Sequence, residues 1–385
     1  MKKKVIYVGP FRSPNNDAAS ARVLNNSKLF QNLDYDVLIL SWGGFYRDED
    51  LFEDGNYYYN GIQYIITNDI DLKGFFKRLF FLIFTRHKSL SYIKKHLTST
   101  CYIIGYNLPL YFTLRMIIIS KFQKVTFISD LTEWYNGEMF PGGKFFFPAI
   151  FNKINMSFIQ KFIKNKILIS SYLSKYYTNS NNIIIPALID INNLKWLPTN
   201  DRLIDDDCVR FLYVGIPSSP NDIKDDLETL LDYFIPFFES NAKIIVNIVG
   251  VAHQDIRCYK NYNKFTTYDA KLFFHGKVSS DIVPKFFFDS DFSIIYRLNS
   301  RKSMAGFPTK LSESFAASCP VIASNVSDIS SYCEDGFNGF VLKDNSSVEF
   351  EKVIHEILKK SRAEIEIYKK NAFNTAEIKL HYLSY

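Results

Sequence analysis

Short apolar runs rich in β-branched and aromatic residues recur along the chain, separated by longer stretches in which apolar residues return at helical spacing. In the first half the runs are Val5–Val8, Val37–Leu40, Tyr102–Ile104, Val125–Ile128, Ile167–Ile169 and Ile183–Ile185. In the second half they are Phe211–Val214, Ile244–Val249, Leu272–Phe274, Phe292–Tyr296 and Val321–Ala323. Strands that alternate with helices predict βαβ units and a parallel sheet covered on both faces. The pattern occurs twice. Between the two, Asp190–Arg210 is polar, contains Pro198 and holds no sustained period. The predicted architecture is α/β, with a doubly wound domain over residues 1–190, a linker over 191–210 and a second doubly wound domain over 211–385. One local exception is Asn60-Gly61 between aromatic flanks, a hairpin signal that predicts an antiparallel pair in the first domain.

Length agrees with two domains, because 385 residues exceed what a single core serves. With 47% apolar and 22% charged residues, the composition is that of an ordinary globular protein. The net charge of +6 hides an asymmetry: residues 1–200 carry 24 Lys and Arg against 14 Asp and Glu, and residues 201–385 carry 22 against 26. From Leu72 to Ser129 there is no acidic residue and there are ten basic ones. Such a stretch is expected to face something negative. Within it Lys73–Lys88 interleaves basic and aromatic residues, which suits an anionic membrane interface; a buried helix with solvated charged ends is the alternative. Nucleic acid is not expected, since no binding module accompanies the charge. The five cysteines are odd in number, widely spaced and without a Cys-x-x-Cys pair, which fits a reducing cytosol. The start resembles a signal peptide, but its apolar run ends at Pro10 and Arg12 follows, so a first buried strand is the better reading. No apolar run approaches the ~18–20 residues of a membrane span. A cytoplasmic protein, peripheral on the inner face of the membrane, is expected.

Two doubly wound domains facing across a linker leave a cleft at the carboxyl ends of both sheets, where ligands bind in such folds. The richest segment is Tyr296–Ala323. A strand ends near Tyr296, a loop with Arg297, Arg301 and Lys302 follows, and Gly306 and Pro308 introduce a helix. Free amides and the helix dipole at that start favour an anion. Lys310 and Glu313 are three apart on the helix, so a cation and a carboxylate share one face. Phosphate plus vicinal hydroxyls describes a nucleotide sugar. Taken singly, Lys310 and Glu313 read as an exposed helical pair, Arg301 and Lys302 as solvated charges, and Gly339 as a turn residue.

The segment Arg297 … Ala305-Gly-Phe-Pro-Thr-Lys310 … Glu313 resembles the signature of retaining glycosyltransferases of the GT-B fold, glycosyltransferase family 4, of the bacterial surface-polysaccharide type. Four further stretches match in order: Ala18–Arg22, Asp130–Tyr135, Tyr213–Pro217 with Lys224-Asp225, and Asp335–Gly339. The resemblance implies that Glu313 binds the donor ribose and that Lys224 steadies the donor diphosphate. It also implies donor contacts from Gly215 and from Gly306, Phe307, Pro308, Thr309 and Lys310. The family's first glutamate falls at Ala305 and its usual arginine at Ile216, so Arg297 or Arg301 is the expected replacement cation. Preorganised cations there would stabilise the leaving diphosphate.

In the first half, Gly9–Arg22 runs from a loop into a helix with Asp17 as N-cap. Asn16 and Arg22 are its acceptor-side candidates, with a structural salt bridge equally open for Arg22. Asp130-Leu-Thr-Glu-Trp-Tyr135 places two carboxylates just past a strand. Glu133 could orient an acceptor hydroxyl, or Asp130 and Thr132 could cap a turn over a packed Trp134. The expected function is therefore transfer of a sugar, with retention, from a nucleotide-diphosphate sugar to a saccharide or lipid-linked saccharide in cell-surface polysaccharide synthesis. No metal or cofactor is expected, because Asp69-Ile70-Asp71 and Asp205–Asp207 lie apart from the matched motifs. A sugar-nucleotide epimerase of the same fold and a non-catalytic membrane-docked scaffold are the alternatives.

Overall fold

The computed structural model describes residues 2–15, 17–67, 88–135, 147–197, 207–216 and 224–385. Asn16 and most of the basic, aromatic run, residues 73–87, lie outside them. The chain divides into two compact units, Met1–Leu188 and Ile189–Ser384.

The first unit runs β1 (Lys3–Ser13), α1 (Ala18–Asn32), β2 (Tyr35–Gly44), β3 (Tyr58–Tyr59), β4 (Ile62–Ile66), α2 (Lys88–His96), β5 (Thr100–Tyr106), α3 (Leu110–Phe122), β6 (Thr126–Leu131), α4 (Phe147–Ser157), β7 (Asn165–Leu168), α5 (Ser171–Tyr176) and β8 (Asn181–Ile184). Among the described residues its strands lie in the order β3-β4-β2-β1-β5-β6-β7-β8. Val5, Ile6, Tyr7 and Val8 of β1 are all fully buried, because a central parallel strand is covered on both faces. The start of α1 is set by a capping box: the Asp17 carboxylate accepts from the Ser20 amide at 2.7 Å and Ser20 Oγ accepts from the Asp17 amide at 3.0 Å. Asn60 and Gly61 have φ of 50° and 74°, the signs a tight hairpin turn needs. β3 pairs antiparallel with β4. β4 then joins β2 in parallel, so the expected antiparallel pair also extends the parallel sheet. Ile93 of α2 and Phe112 and Met116 of α3 pack on Ile6, Leu38, Trp42 and Ile103.

The second unit runs β9 (Val209–Val214), α6 (Leu227–Glu239), β10 (Ile244–Val249), α7 (Tyr262–Phe265), β11 (Leu272–Phe274), α8 (Val283–Phe288), β12 (Phe292–Ile295), α9 (Arg301–Ala305), α10 (Thr309–Ala316), β13 (Val321–Ser324), β14 (Gly339–Leu342), α11 (Ser347–Leu358) and α12 (Arg362–Lys379). Its six strands lie in the order β11-β10-β9-β12-β13-β14, and every pairing among them is parallel. Gly339 is not a turn residue as its local sequence suggests. It opens β14, where an added Cβ would lie 2.4 Å from the Val321 carbonyl oxygen, so its missing side chain lets β14 close on β13. Within 191–210, Trp196 is buried and Val209 and Arg210 already belong to β9, while residues 198–206 lie outside the described ones.

In each sheet the order of connection reverses once, between β1 and β5 and between β9 and β12. Doubly wound sheets bind ligands at the carboxyl ends of the strands flanking such a reversal.

Candidate functional site

In the second unit the residues that follow β9 and β12 converge on Asp225. Arg297 Nε donates to Asp225 Oδ1 at 2.8 Å, and Lys310 Nζ donates to Asp225 Oδ2. The Tyr213 hydroxyl reaches Oδ2 at 3.4 Å, and the Lys310 ammonium sits 4.7 Å from the centre of the Tyr213 ring. Backbone pairing of Asp225 with Arg297 fixes the arrangement, and the Lys224 carbonyl accepts from the Leu298 amide at 3.3 Å. Lys224 is thereby held next to the cluster. Gly215 permits the approach of Lys310, since an added Cβ would lie 2.5 Å from Nζ.

Two cations share one carboxylate, which leaves the cluster positive. Burial opposes ionisation of Asp225, but Lys310 and Arg297 outweigh it and hold the carboxyl well below the usual range. Burial is also the largest influence on Lys310 and, with Arg297 beside it, outweighs Asp225, so the ammonium is lowered. Among the described residues Arg297 Nη1 is buried without a hydrogen-bond partner. Such an orphan costs about 1–3 kcal/mol, and an anion bound there would recover it. α10 begins beside the cluster with Pro308 as N-cap and no capping side chain, which leaves its first amides suited to an anion. One turn on, burial pushes the Glu313 carboxyl up, against Lys195 and Lys310. Glu313 forms no ion pair with Lys310, whose ammonium turns to Asp225 instead.

The other expected donor contacts divide. Arg301 opens α9 as an exposed residue, while Lys302, read as a solvated charge, is only 6% exposed. Ala305 is fully buried. The Gly306 carbonyl accepts from Ser327 Oγ, and Phe307 is buried edge-on to Tyr332 at 5.3 Å. Those two residues build the turn that aims α10, with Pro308 and Thr309 at its start. Asp225 carries the cluster and had no assigned role in the sequence, although it follows Lys224 directly; a lone aspartate after a lysine gives no sign that two distant cations meet on it.

In the first unit Arg22 and Asp130 lie against each other, 3% and 0% exposed. Arg22 Nη2 donates to Asp130 Oδ1 at 2.8 Å, and Nη1 donates to the Ile185 and Pro186 carbonyls at 2.9 and 2.8 Å. The Tyr7 hydroxyl donates to Asp130 Oδ2. Both residues are withdrawn from any acceptor, so the pair locks α1 and β6 together. Glu133 lies two residues past the end of β6 and is half-buried. Trp134 packs at 4.8 Å from Tyr176, and Thr132 is held by Asn107, whose Oδ1 accepts from the Thr132 amide at 3.0 Å.

Asn107 also borders an apolar cavity of about 360 Å³ at the carboxyl ends of β1, β2, β5 and β6. Trp42, Leu108, Leu131, Phe151 and Met156 line it, with Asn152 and Asn155 among them. Asn155 is 3% exposed; its Nδ2 donates to the Leu108 carbonyl at 2.8 Å, and its Oδ1 has no partner among the described residues. A mostly apolar pocket with a few polar groups is the usual form of a small-molecule site. Nothing in the sequence marks Asn155, because its polarity is exceptional only once its burial is known.

Comparison with known proteins decides the class. Residues 225–375 match the family model of glycosyl transferases group 1. The protein is a glycosyltransferase. Its match begins at Asp225 itself and contains Arg297, Lys310 and Glu313. No curated protein matches the transferase in sequence. Among solved structures it resembles sucrose-phosphate synthase from Thermosynechococcus elongatus, with a TM-score of 0.68, 13% identity, and 100% of this chain and 96% of that chain covered. HepE of Anabaena, in complex with UDP and glucose, aligns with a TM-score of 0.65 and 14% identity over 100% of this chain and 97% of that chain. WaaG, a glycosyltransferase of lipopolysaccharide biosynthesis, aligns with a TM-score of 0.66 and 12% identity over 98% and 96%. The transferase has the GT-B fold.

Proposed function

We propose that the enzyme transfers a sugar, with retention, from a nucleotide-diphosphate sugar to a saccharide or lipid-linked saccharide in bacterial surface-polysaccharide synthesis, as a glycosyltransferase of family 4. The observation that carries this reading is the positive cluster at the strand reversal of the second unit, with Arg297 Nη1 unpartnered among the described residues. The donor diphosphate binds Arg297, Lys310 and Lys224, and these protein cations take the place of a metal in stabilising the leaving group. Glu313, on the same helix as Lys310, binds the ribose hydroxyls. The first unit takes the acceptor, with the cavity beside Asn107 and Asn155 receiving it and Glu133 orienting its hydroxyl. The enzyme works in the cytoplasm at an anionic membrane surface.

HepE binds UDP and glucose, so UDP-glucose is the first donor to try. Glu313→Gln is expected to weaken donor binding roughly ten- to hundredfold, since a hydrogen bond to a charged group is worth about 1.5–3 kcal/mol. Titration calorimetry measures it, and unchanged affinity would remove Glu313 from the ribose site. Incubation with donor alone separates transfer from epimerisation, because an epimerase turns over without acceptor.

A further inference from the structure

α3 reads Leu-Tyr-Phe-Thr-Leu-Arg-Met-Ile-Ile-Ile-Ser-Lys-Phe and is apolar around most of its circumference. A helix of that kind is normally covered on all sides. Among the described residues only one side of α3 is covered. Phe112 and Met116 enter the core, whereas Leu114, Ile118 and Phe122, four apart along one stripe, are 39%, 51% and 73% exposed. α4 packs beside α3 and repeats the arrangement, with Ile150 and Ile154 40% and 41% exposed. The turn that follows adds Phe158 and Phe162, 58% and 66% exposed, with their rings edge to face at 5.0 Å. Single exposed apolar residues are ordinary, but adjoining ridges of them are not.

The charges around these ridges have one sign. Arg115, Lys121, Lys124, Lys153, Lys161 and Lys164 are exposed, and no Asp or Glu occurs from Leu72 to Ser129 or from Met139 to Ile189. Protein interfaces tend to exclude lysine, so a partner protein suits the patch poorly. Phenylalanine and isoleucine ringed by lysine match a bilayer with anionic headgroups, the rings entering the acyl boundary and the ammoniums meeting phosphates.

We infer that the face formed by α3, α4 and the turn Ile159–Phe162 docks on an anionic lipid bilayer. The assignment rests on the proposed membrane-side acceptor chemistry and names the surface responsible. Leu114 belongs both to this face and to the lining of the 360 Å³ cavity. Docking therefore brings the cavity to the lipid surface, where an acceptor carried on a lipid would be found.

Co-sedimentation of the full chain with phosphatidylcholine vesicles, with and without phosphatidylglycerol, tests the inference. Binding is expected only to the anionic vesicles and is expected to weaken with salt. Phe122→Ser with Phe162→Ser should lower the partition coefficient by roughly tenfold or more for each ring removed. Lys121→Gln with Lys124→Gln and Lys164→Gln should lower it about fivefold for each charge. Both variants alter exposed positions, so their melting temperatures and UDP-glucose binding in vesicle-free solution should match the parent's. Absence of binding to anionic vesicles overturns the inference, as does binding that both variants retain. Dimers seen by light scattering and abolished by the phenylalanine changes, without vesicle binding, would assign the face to a second copy of the chain and likewise overturn it. Loss of UDP-glucose binding in the parent with vesicle binding intact would instead count against the proposed donor and leave the docking face standing.

Discussion

Each unit sets a buried arginine against an aspartate near the carboxyl ends of its central strands, yet the two pairs are finished differently. In the first, every guanidinium nitrogen of Arg22 has an acceptor, from Asp130 or from the carbonyls of Ile185 and Pro186. In the second, Asp225 is shared by Arg297 and Lys310, and Arg297 Nη1 has no partner among the described residues. The first pair is electrically balanced and closed. The second has one positive charge too many and one donor too many. The same residue types thus form a closed architectural pair in one unit and, in the proposed function, a ligand site in the other, and what separates them is saturation rather than identity.

That contrast can be broken most forcefully at Asp130. Asp130→Ala leaves Arg22 charged and buried without its partner, which should cost about 3–5 kcal/mol of stability by urea denaturation. Donor affinity of the molecules that remain folded should not change; a loss of affinity at unchanged stability would make the pair functional after all. At the open pair the expectation reverses. Arg297→Gln should weaken UDP-glucose binding by about 1.5–3 kcal/mol in calorimetry while costing less stability than Asp130→Ala, because Lys310 stays on Asp225. Gly215→Ala gives the smallest effect. Its Cβ meets the far end of the flexible Lys310 side chain, which can give way, so stability should shift by under about 1 kcal/mol and donor affinity by a few-fold. A large stability loss there would mean that Lys310 cannot move and that the cluster is a structural one.

Much of the scaffold is legible from local chemistry. The apolar runs of both halves become the parallel strands, because burial on two faces imposes its own pattern on a strand wherever the strand ends up. Asp17 caps α1 and Asn60-Gly61 turns the hairpin, since a cap or a tight turn needs only its immediate neighbours. The short strand β14 escaped this reading: four residues beginning with glycine carry too little periodicity. So did the burial of Trp196, which overrides the polarity around it.

The candidate site divides along the same line. Lys310, Glu313, Arg297 and Lys224 are conspicuous as residue types in an ordered set of motifs, and it is the family resemblance of those motifs that suggests phosphate and ribose chemistry for them. Which charge answers which was decided by the fold, because Asp225 lies 72 residues from Arg297 and 85 from Lys310 and meets them only when β9 and β12 become neighbours. Arg22 and Asp130, 108 residues apart, are open in the sequence to ligand and structural roles alike and become a closed pair in the fold for the same reason. Local periodicity determined that this chain would build parallel sheets with chemistry at their carboxyl ends. Sheet order, which brings distant segments side by side, decided which of those charges would be satisfied and which left open to a ligand.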